Sequence, residues 1–168
     1  MALPHGSRLR LTARRGLLIS VAVLVVAAGV AVYLAATQPR PLLQPNDPTV
    51  IQRGAAVYAQ ACANCHGTNL EGQPNWQVRR PDGLLPAPPH DATGHTWHHP
   101  EHVLFDVTRN GLQKLAGPNY KTAMPAFADK LSDNDIIAVL SFIKSTWPPK
   151  QRQANDAASK TGNLMPAQ

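Results

Sequence analysis

Apolar positions along the chain fall into one long uncharged run and three shorter stretches with helical spacing. The run covers 17–36 and contains no charged residue. At 1.5 Å per residue, a helix of this length spans about 30 Å, the thickness of the hydrocarbon core of a bilayer. The run therefore predicts one transmembrane helix, or a signal segment. A cleavable signal would need small residues near its end, and Gly29 and Ala31 inside the run leave that alternative open.

Basic residues flank this run unequally. Only Arg40 follows it closely, whereas four arginines precede it: Arg8, Arg10, Arg14 and Arg15. Positive charge next to a membrane span favours the cytoplasmic side. We therefore expect residues 1–16 in the cytoplasm, 17–36 as the anchor, and everything after it exported.

The first of the shorter stretches predicts a helix that starts with Asp47 as N-cap and Pro48 at the first helical position. Its apolar residues continue at helical spacing to Ala61. Gly54 has no side chain, so another helix can approach closely there, with Tyr58 packing one turn later. The alternative is that Gly54 only weakens the helix.

The last stretch predicts a better marked helix. Ser132 and Asp135 form a capping-box-like start, and apolar residues then repeat at intervals of three and four up to Trp147. A short middle helix is predicted over 100–110, with Gly111 as its stop. The fold class is therefore all-α.

Two segments of different composition flank these helices. Residues 37–48 contain four prolines and predict an extended linker that reaches roughly 35 Å. Residues 148–168 begin with two prolines and are polar, which predicts a disordered tail. Between them, 49–147 makes a domain of about 100 residues, a size at which the core is marginal unless a bound group adds to it.

The charge balance changes this picture little. The formal net charge is +6, but four of the positive charges are the arginines before the apolar run. From Thr37 onward, twelve Lys or Arg face ten Asp or Glu. Nucleic-acid binding therefore has no support in the composition.

The chemistry of the chain is concentrated in the pentapeptide that runs from Cys62 to His66. Cys-x-x-Cys-His is the spacing that attaches haem covalently, with two thioethers on one haem edge and the imidazole on the iron. A redox pair or half of a zinc site is the alternative, but zinc would need two further ligands. Cys62 and Cys65 are the only cysteines, so the motif predicts one haem c and no disulfide.

With these features the chain resembles the class I c-type cytochromes, which are mono-haem electron carriers. The resemblance covers nearly all of 49–147. It rests on a helix with Gly54 and Tyr58 that leads into the haem motif, a middle helix closing at Asn110-Gly111, and Met124-Pro125-Ala126-Phe127 before a terminal amphipathic helix. It implies a small domain of three to four helices around one covalent haem.

The resemblance also implies a set of haem ligands. His66 is then the proximal ligand of the iron, Met124 the distal one, and Cys62 and Cys65 the covalent links. Met124 is the one methionine inside the domain, because Met1 and Met165 lie in the terminal segments. The alternative for Met124 is a packing role in the core, and the rival ligand is a histidine.

Five histidines crowd into a short segment that extends into the start of the middle helix: His90, His95, His98, His99 and His102. They could be solvated, donate hydrogen bonds to the haem propionates, bind a transition metal, or ligate the iron. Trp97 could cover the haem edge, donate its indole N–H to a propionate, or pack in the core. In the family a proline carbonyl near this segment accepts a hydrogen bond from the proximal imidazole, and the candidates are Pro86, Pro88 and Pro89.

These features predict a membrane-tethered electron carrier that is not itself an enzyme. We expect it in the bacterial inner membrane as a single-pass protein, with its C-terminal haem domain in the periplasm. It would pass single electrons between a dehydrogenase or quinol-oxidising complex and a terminal oxidase of a respiratory chain. The alternatives are a haem peroxidase or reductase with an open sixth site, and a haem protein whose histidine-rich loop handles copper or zinc.

Overall fold

The computed structural model describes residues 6–36 and 41–162, which fall into two compact units, Met1–Arg40 and Pro41–Gln168. Within the first unit the described residues form one helix, α1, Gly6–Ala36. Its described apolar side chains, Val23 and Leu24 among them, are exposed. None of the helices in the described ranges is long and apolar enough to cross a membrane. The anchor over 17–36 stays a prediction.

The second unit is all-α over residues 41–162, as the sequence predicts. It contains more helices than the three to four expected. They are α2 Pro48–Ala61, α3 Ala63–His66, α4 Glu101–Asn110, α5 Leu112–Ala116, α6 Asp133–Thr146 and α7 Pro149–Gly162, with a 3₁₀ turn at Thr96–His98.

Helix α2 begins and packs as predicted. The Asp47 carboxylate accepts hydrogen bonds from the amides of Thr49 and Val50 at 2.9 and 3.2 Å, and Pro48 occupies the first turn. At Gly54, α2 lies so close to α6 that an added Cβ would be 2.0 Å from a carbonyl oxygen of α6. The absent side chain at Gly54 therefore permits the crossing of the two helices.

Helix α6 supplies most of the core. Ser132 and Asp135 form the predicted capping box, with the amide of Asp135 donating to the Ser132 hydroxyl at 3.2 Å. The core side chains of α6 are Ile136, Val139, Leu140 and Ile143, all of them buried. Tyr58 packs with them from α2, and its ring centroid lies 5.6 Å from that of Phe142. The core thus lies between the first and last helices of the predicted domain.

Helix α7 shows that the predicted disordered tail is wrong for residues 149–162. Asn155 is fully buried and donates from its side chain to the His99 carbonyl at 2.7 Å. Asp156 pairs with the buried Lys144 of α6 at 2.5 Å. Helix α7 lacks an apolar face. Hydrogen bonds and an ion pair attach it to the domain instead. Residues 163–168 lie outside the described ranges.

The predicted linker over 37–48 is also wrong in its second half. Leu43 is fully buried, and the amides of Leu42 and Leu43 donate to the Glu101 carboxylate at 2.8 and 3.1 Å. Residues 41–47 are therefore part of the domain, because polar contacts fix their backbone despite the prolines. Residues 37–40 lie outside the described ranges.

Candidate functional site

The second unit encloses a cavity of about 490 Å³ next to the haem motif. Its volume is typical of a small-molecule or cofactor site. Most of its wall is apolar and comes from α4, α5, α6 and the loops beside them: Leu85, Val103, Leu104, Val107, Leu112, Phe127, Val139, Leu140 and Ile143. A large apolar group with a few polar contacts would fit such a wall.

His66 ends the short helix α3 on the cavity wall and is only 7% exposed. Its Nδ1 lies 2.8 Å from the carbonyl oxygen of Pro88. A carbonyl can only accept, so Nδ1 carries the proton and Nε2 keeps its lone pair. Burial lowers the pKa of His66, which favours this neutral imidazole with Nε2 free to bind a metal.

Cys62 and Cys65 also line the cavity, one helical turn apart. They form no disulfide with each other. Burial, and then the neighbouring Cys65, raise the pKa of the Cys62 thiol to about 11. Redox-active Cys-x-x-Cys pairs have a lowered thiol pKa, so this environment does not favour the redox alternative.

Met124 reaches the same cavity from the loop before α6. Its amide donates to the Thr122 hydroxyl at 3.0 Å. Three residues later the buried Phe127 attaches the loop to α4, because its amide lies 3.1 and 3.2 Å from the carbonyl oxygens of Thr108 and Arg109. The end of α4 and the packing of Phe127 thus hold the Met124 loop at the cavity.

The structure divides the other predicted site residues into two groups. Pro86, Pro88, His95 and His99 line the cavity. Trp97 and His98 do not line it, and their rings stack on each other at a centroid distance of 3.5 Å. The buried indole N–H of Trp97 has no hydrogen-bond partner among the described residues. Among the three candidate prolines, Pro88 is the one whose carbonyl contacts His66.

The histidine-rich segment does not converge on a metal site in the described ranges. There, no group of three or more His, Cys, Asp or Glu side chains could hold a metal ion. His95 instead stacks on Trp76, with ring centroids 5.3 Å apart and planes 10° apart, and its edge lies near the His99 ring. The geometry therefore gives no support to the copper or zinc alternative.

Several residues of the cavity were missed by sequence reasoning. Its polar rim includes Gln73, Trp76, Arg80, Tyr120 and Lys121. The histidine cluster included His90, but the stacking of its ring on that of His66 was not predicted. No local signal in the sequence identifies that contact, because it depends on the path of the loop after the motif.

A protein-family model for cytochrome c matches residues 51–147, more than half of the chain. The chain belongs to the cytochrome c family. It is also 32% identical over 97 residues to the gluconate 2-dehydrogenase cytochrome c subunit of Pantoea cypripedii. That match covers 57% of this chain but only 20% of the relative, so the chain spans about a fifth of the relative's length. No solved structure matches.

Membership of the cytochrome c family implies covalently attached haem c and a role in electron transfer. The cavity fits that cofactor by the chemistry of its donors. Two thiols one turn apart, an imidazole with a free Nε2 and a thioether line one apolar space. The basic rim residues Arg80 and Lys121 suit the propionates that a haem carries.

Proposed function

We propose that this chain is a mono-haem c-type cytochrome whose iron is held between His66 and Met124. The observation that carries the proposal is the single cavity lined by Cys62, Cys65, His66 and Met124. Cys65 and His66 lie in α3, Cys62 directly precedes it, and Met124 lies in a loop more than fifty positions later in the chain. Because the only two cysteines lie in one motif, one covalent haem is expected.

Each of these residues has one task in the proposal. The haem, when bound, supplies an iron that gains and loses a single electron. Cys62 and Cys65 would hold the macrocycle covalently, and the Pro88 carbonyl sets the tautomer of His66 so that Nε2 would be the metal donor. Met124 supplies a soft thioether, a ligation that raises the reduction potential relative to two nitrogen ligands.

We further propose that the protein carries electrons and does not catalyse a reaction of its own. If His66 and Met124 both bound the iron, no position would remain on the metal for peroxide or another substrate. His95, one of the histidines that the peroxidase alternative would use, stacks on Trp76. This engagement favours the carrier over the peroxidase or reductase alternative.

Replacement of Met124 tests this assignment. In the oxidised Met124→Ala holoprotein we expect loss of the weak long-wavelength sulfur-to-iron absorption band and a lower reduction potential. Met165→Ala is the matched control and should keep both, because that methionine lies beyond 49–147. A Met124→Ala spectrum identical to that of the parent protein would refute Met124 as the ligand.

The location of the protein is a separate proposal, which rests on the sequence. We propose a bacterial inner-membrane protein with its haem domain in the periplasm, because one haem attachment motif and an apolar run preceded by arginines occur in the same chain. Cell fractionation tests it. Haem-containing protein that stays with membranes after a high-salt wash supports an anchor over 17–36, and release into the soluble periplasmic fraction contradicts it.

The redox partners are a further proposal, which rests on the relative and on the expected electron-carrier role. The relative is named as the cytochrome c subunit of a dehydrogenase. We propose that this chain accepts electrons from a dehydrogenase or quinol-oxidising complex and delivers them to a terminal oxidase. Deletion of the gene should leave such a donor complex reduced for longer during turnover in membranes, and unchanged reoxidation would contradict the proposal.

A further inference from the structure

The imidazole of His66 is held on two sides by one loop. Its edge is fixed by the Pro88 carbonyl, 2.8 Å from Nδ1. Its face is covered by the ring of His90, with centroids 4.0 Å apart and planes 23° apart. A single hydrogen bond at Nδ1 sets the tautomer but leaves the ring free to twist about that bond. A flat ring stacked at 4.0 Å opposes the twist, because a rotated His66 would collide with it.

His90 is itself fixed firmly enough to act in this way. Its amide donates to the Leu70 carbonyl at 2.8 Å, and the indole of the buried Trp147 donates to its carbonyl at 2.7 Å. Its Nδ1 lies 2.9 Å from the hydroxyl of the buried Thr96. The ring of Tyr58 meets it edge-on at 6.4 Å. Backbone, ring nitrogen and ring edge therefore all have partners.

We propose that His90 is a positioning residue that sets the rotation of the His66 imidazole and thereby the electronic state of the iron. The proposal rests on the proposed function, since it requires His66 to be an iron ligand. Neighbours of a metal-bound histidine orient its ring and tune the metal. Here the orienting group is a stacked imidazole that adds a planar surface to the usual hydrogen-bond acceptor.

Electron paramagnetic resonance of the oxidised holoprotein provides the test. The g values of low-spin ferric haem depend on the planes of the axial ligands, and a change of core packing that leaves those planes in place does not move them. We expect His90→Leu to shift the highest g value by more than the linewidth, because leucine fills the space without a flat face. His90→Phe should stay near the parent value, because phenylalanine keeps the stacked ring.

Two further variants supply a second substitution without a ring and a control at another histidine. His90→Gln retains a polar group near Thr96 but lacks a ring, so it should shift the g value as leucine does. If His90→Leu yields no holoprotein, the comparison of glutamine with phenylalanine decides. His102→Leu is the matched control at an exposed histidine and should leave the spectrum unchanged.

The results separate this inference from the proposed function. A parent protein that is low-spin with histidine and methionine ligation, and whose g values survive both His90→Leu and His90→Gln, overturns the positioning role alone. A parent protein whose spectrum lacks histidine ligation overturns the proposed function itself. Equal shifts in the phenylalanine and leucine variants also overturn the inference, because the flat ring would then not be what matters.

Discussion

Removal of the Glu101 carboxylate should destabilise the domain far more than the loss of an ordinary surface ion pair. Glu101 and Lys144 are 4% and 2% exposed, and Lys144 Nζ lies 2.6 Å from Glu101 Oε1. The other carboxylate oxygen, Oε2, accepts hydrogen bonds from the backbone amides of Leu42 and Leu43. This one side chain therefore joins the start of α4, the last turn of the core helix α6 and the segment that precedes α2.

The size of the effect follows from these contacts. Loss of one partner of a buried pair costs about 3–5 kcal/mol. Asp156 remains beside Lys144, so we take the lower end, about 3 kcal/mol. The buried amide of Leu43 also loses its acceptor, which adds about 1 kcal/mol. Glu101→Ala should thus lower the free energy of unfolding by about 4 kcal/mol.

Guanidinium denaturation of the holoprotein, followed by far-ultraviolet circular dichroism, measures this loss. Lys114→Ala is the matched control, because Lys114 and Asp106 form an exposed pair at 2.9 Å and its loss should cost below about 1 kcal/mol. Adding Lys144→Met to Glu101→Ala should restore part of the stability, because it removes the uncompensated charge. A loss in Glu101→Ala no larger than that of the control would refute the reasoning.

Three further predictions use other contacts of the domain. Gly54→Ala should cost at least about 2 kcal/mol in the same denaturation assay, because the new Cβ would overlap the backbone of α6; a loss within error of zero contradicts the close crossing. Trp147→Phe removes the indole donor from the His90 carbonyl and should cost about 1–3 kcal/mol, and unaltered stability would show that the bond contributes nothing. Hydrogen bonds from Arg53 and then from the helix cap lower the pKa of Asp135, so its stabilisation is present above an unfolded pKa of about 3.9 and is lost as pH falls through the folded value. Asp135→Asn should therefore flatten the acid side of a stability profile recorded from pH 6 to pH 2, and an unchanged slope would exclude this contribution.

The helices that local chemistry defines were predictable from the sequence. Asp47 with Pro48, and Ser132 with Asp135, are cap signatures whose partners lie within three residues along the chain. Gly111 ends α4 with a φ of 87°, a conformation that glycine adopts without strain. The information for these boundaries is therefore contained in a few adjacent positions.

The predictions of a linker before the domain and of a disordered tail after it were wrong for the residues that the structure describes, because contacts distant in the sequence hold both segments. Residues 41–47 and helix α7 are held by groups far away in the sequence, chiefly Glu101 and Lys144. Neither segment carries an apolar pattern, so periodicity could not identify it. The one local clue was Lys144. This charged residue lies directly beside the buried Ile143 of α6, so its ammonium group needed a partner.

The site was predictable to a similar degree. The motif and Met124 were candidates on residue type and spacing, and the structure brings them to one cavity. The contacts of the individual histidines depend on the path of the loop after the motif, which includes a left-handed Leu70 with a φ of 69°. Sequence proximity does not encode such a path, and this is why the stacking of His90 on His66 was missed.

The central claim is that both axial positions of a covalent haem are filled by side chains of this chain. Carbon monoxide binding to the reduced full-length protein tests it most directly, because the gas binds ferrous haem only where an axial position is open. We predict an absorption spectrum at pH 7 that does not change on addition of carbon monoxide, and a rapid change in Met124→Ala as the positive control. A rapid change in the unaltered protein would show an open sixth position and contradict the account.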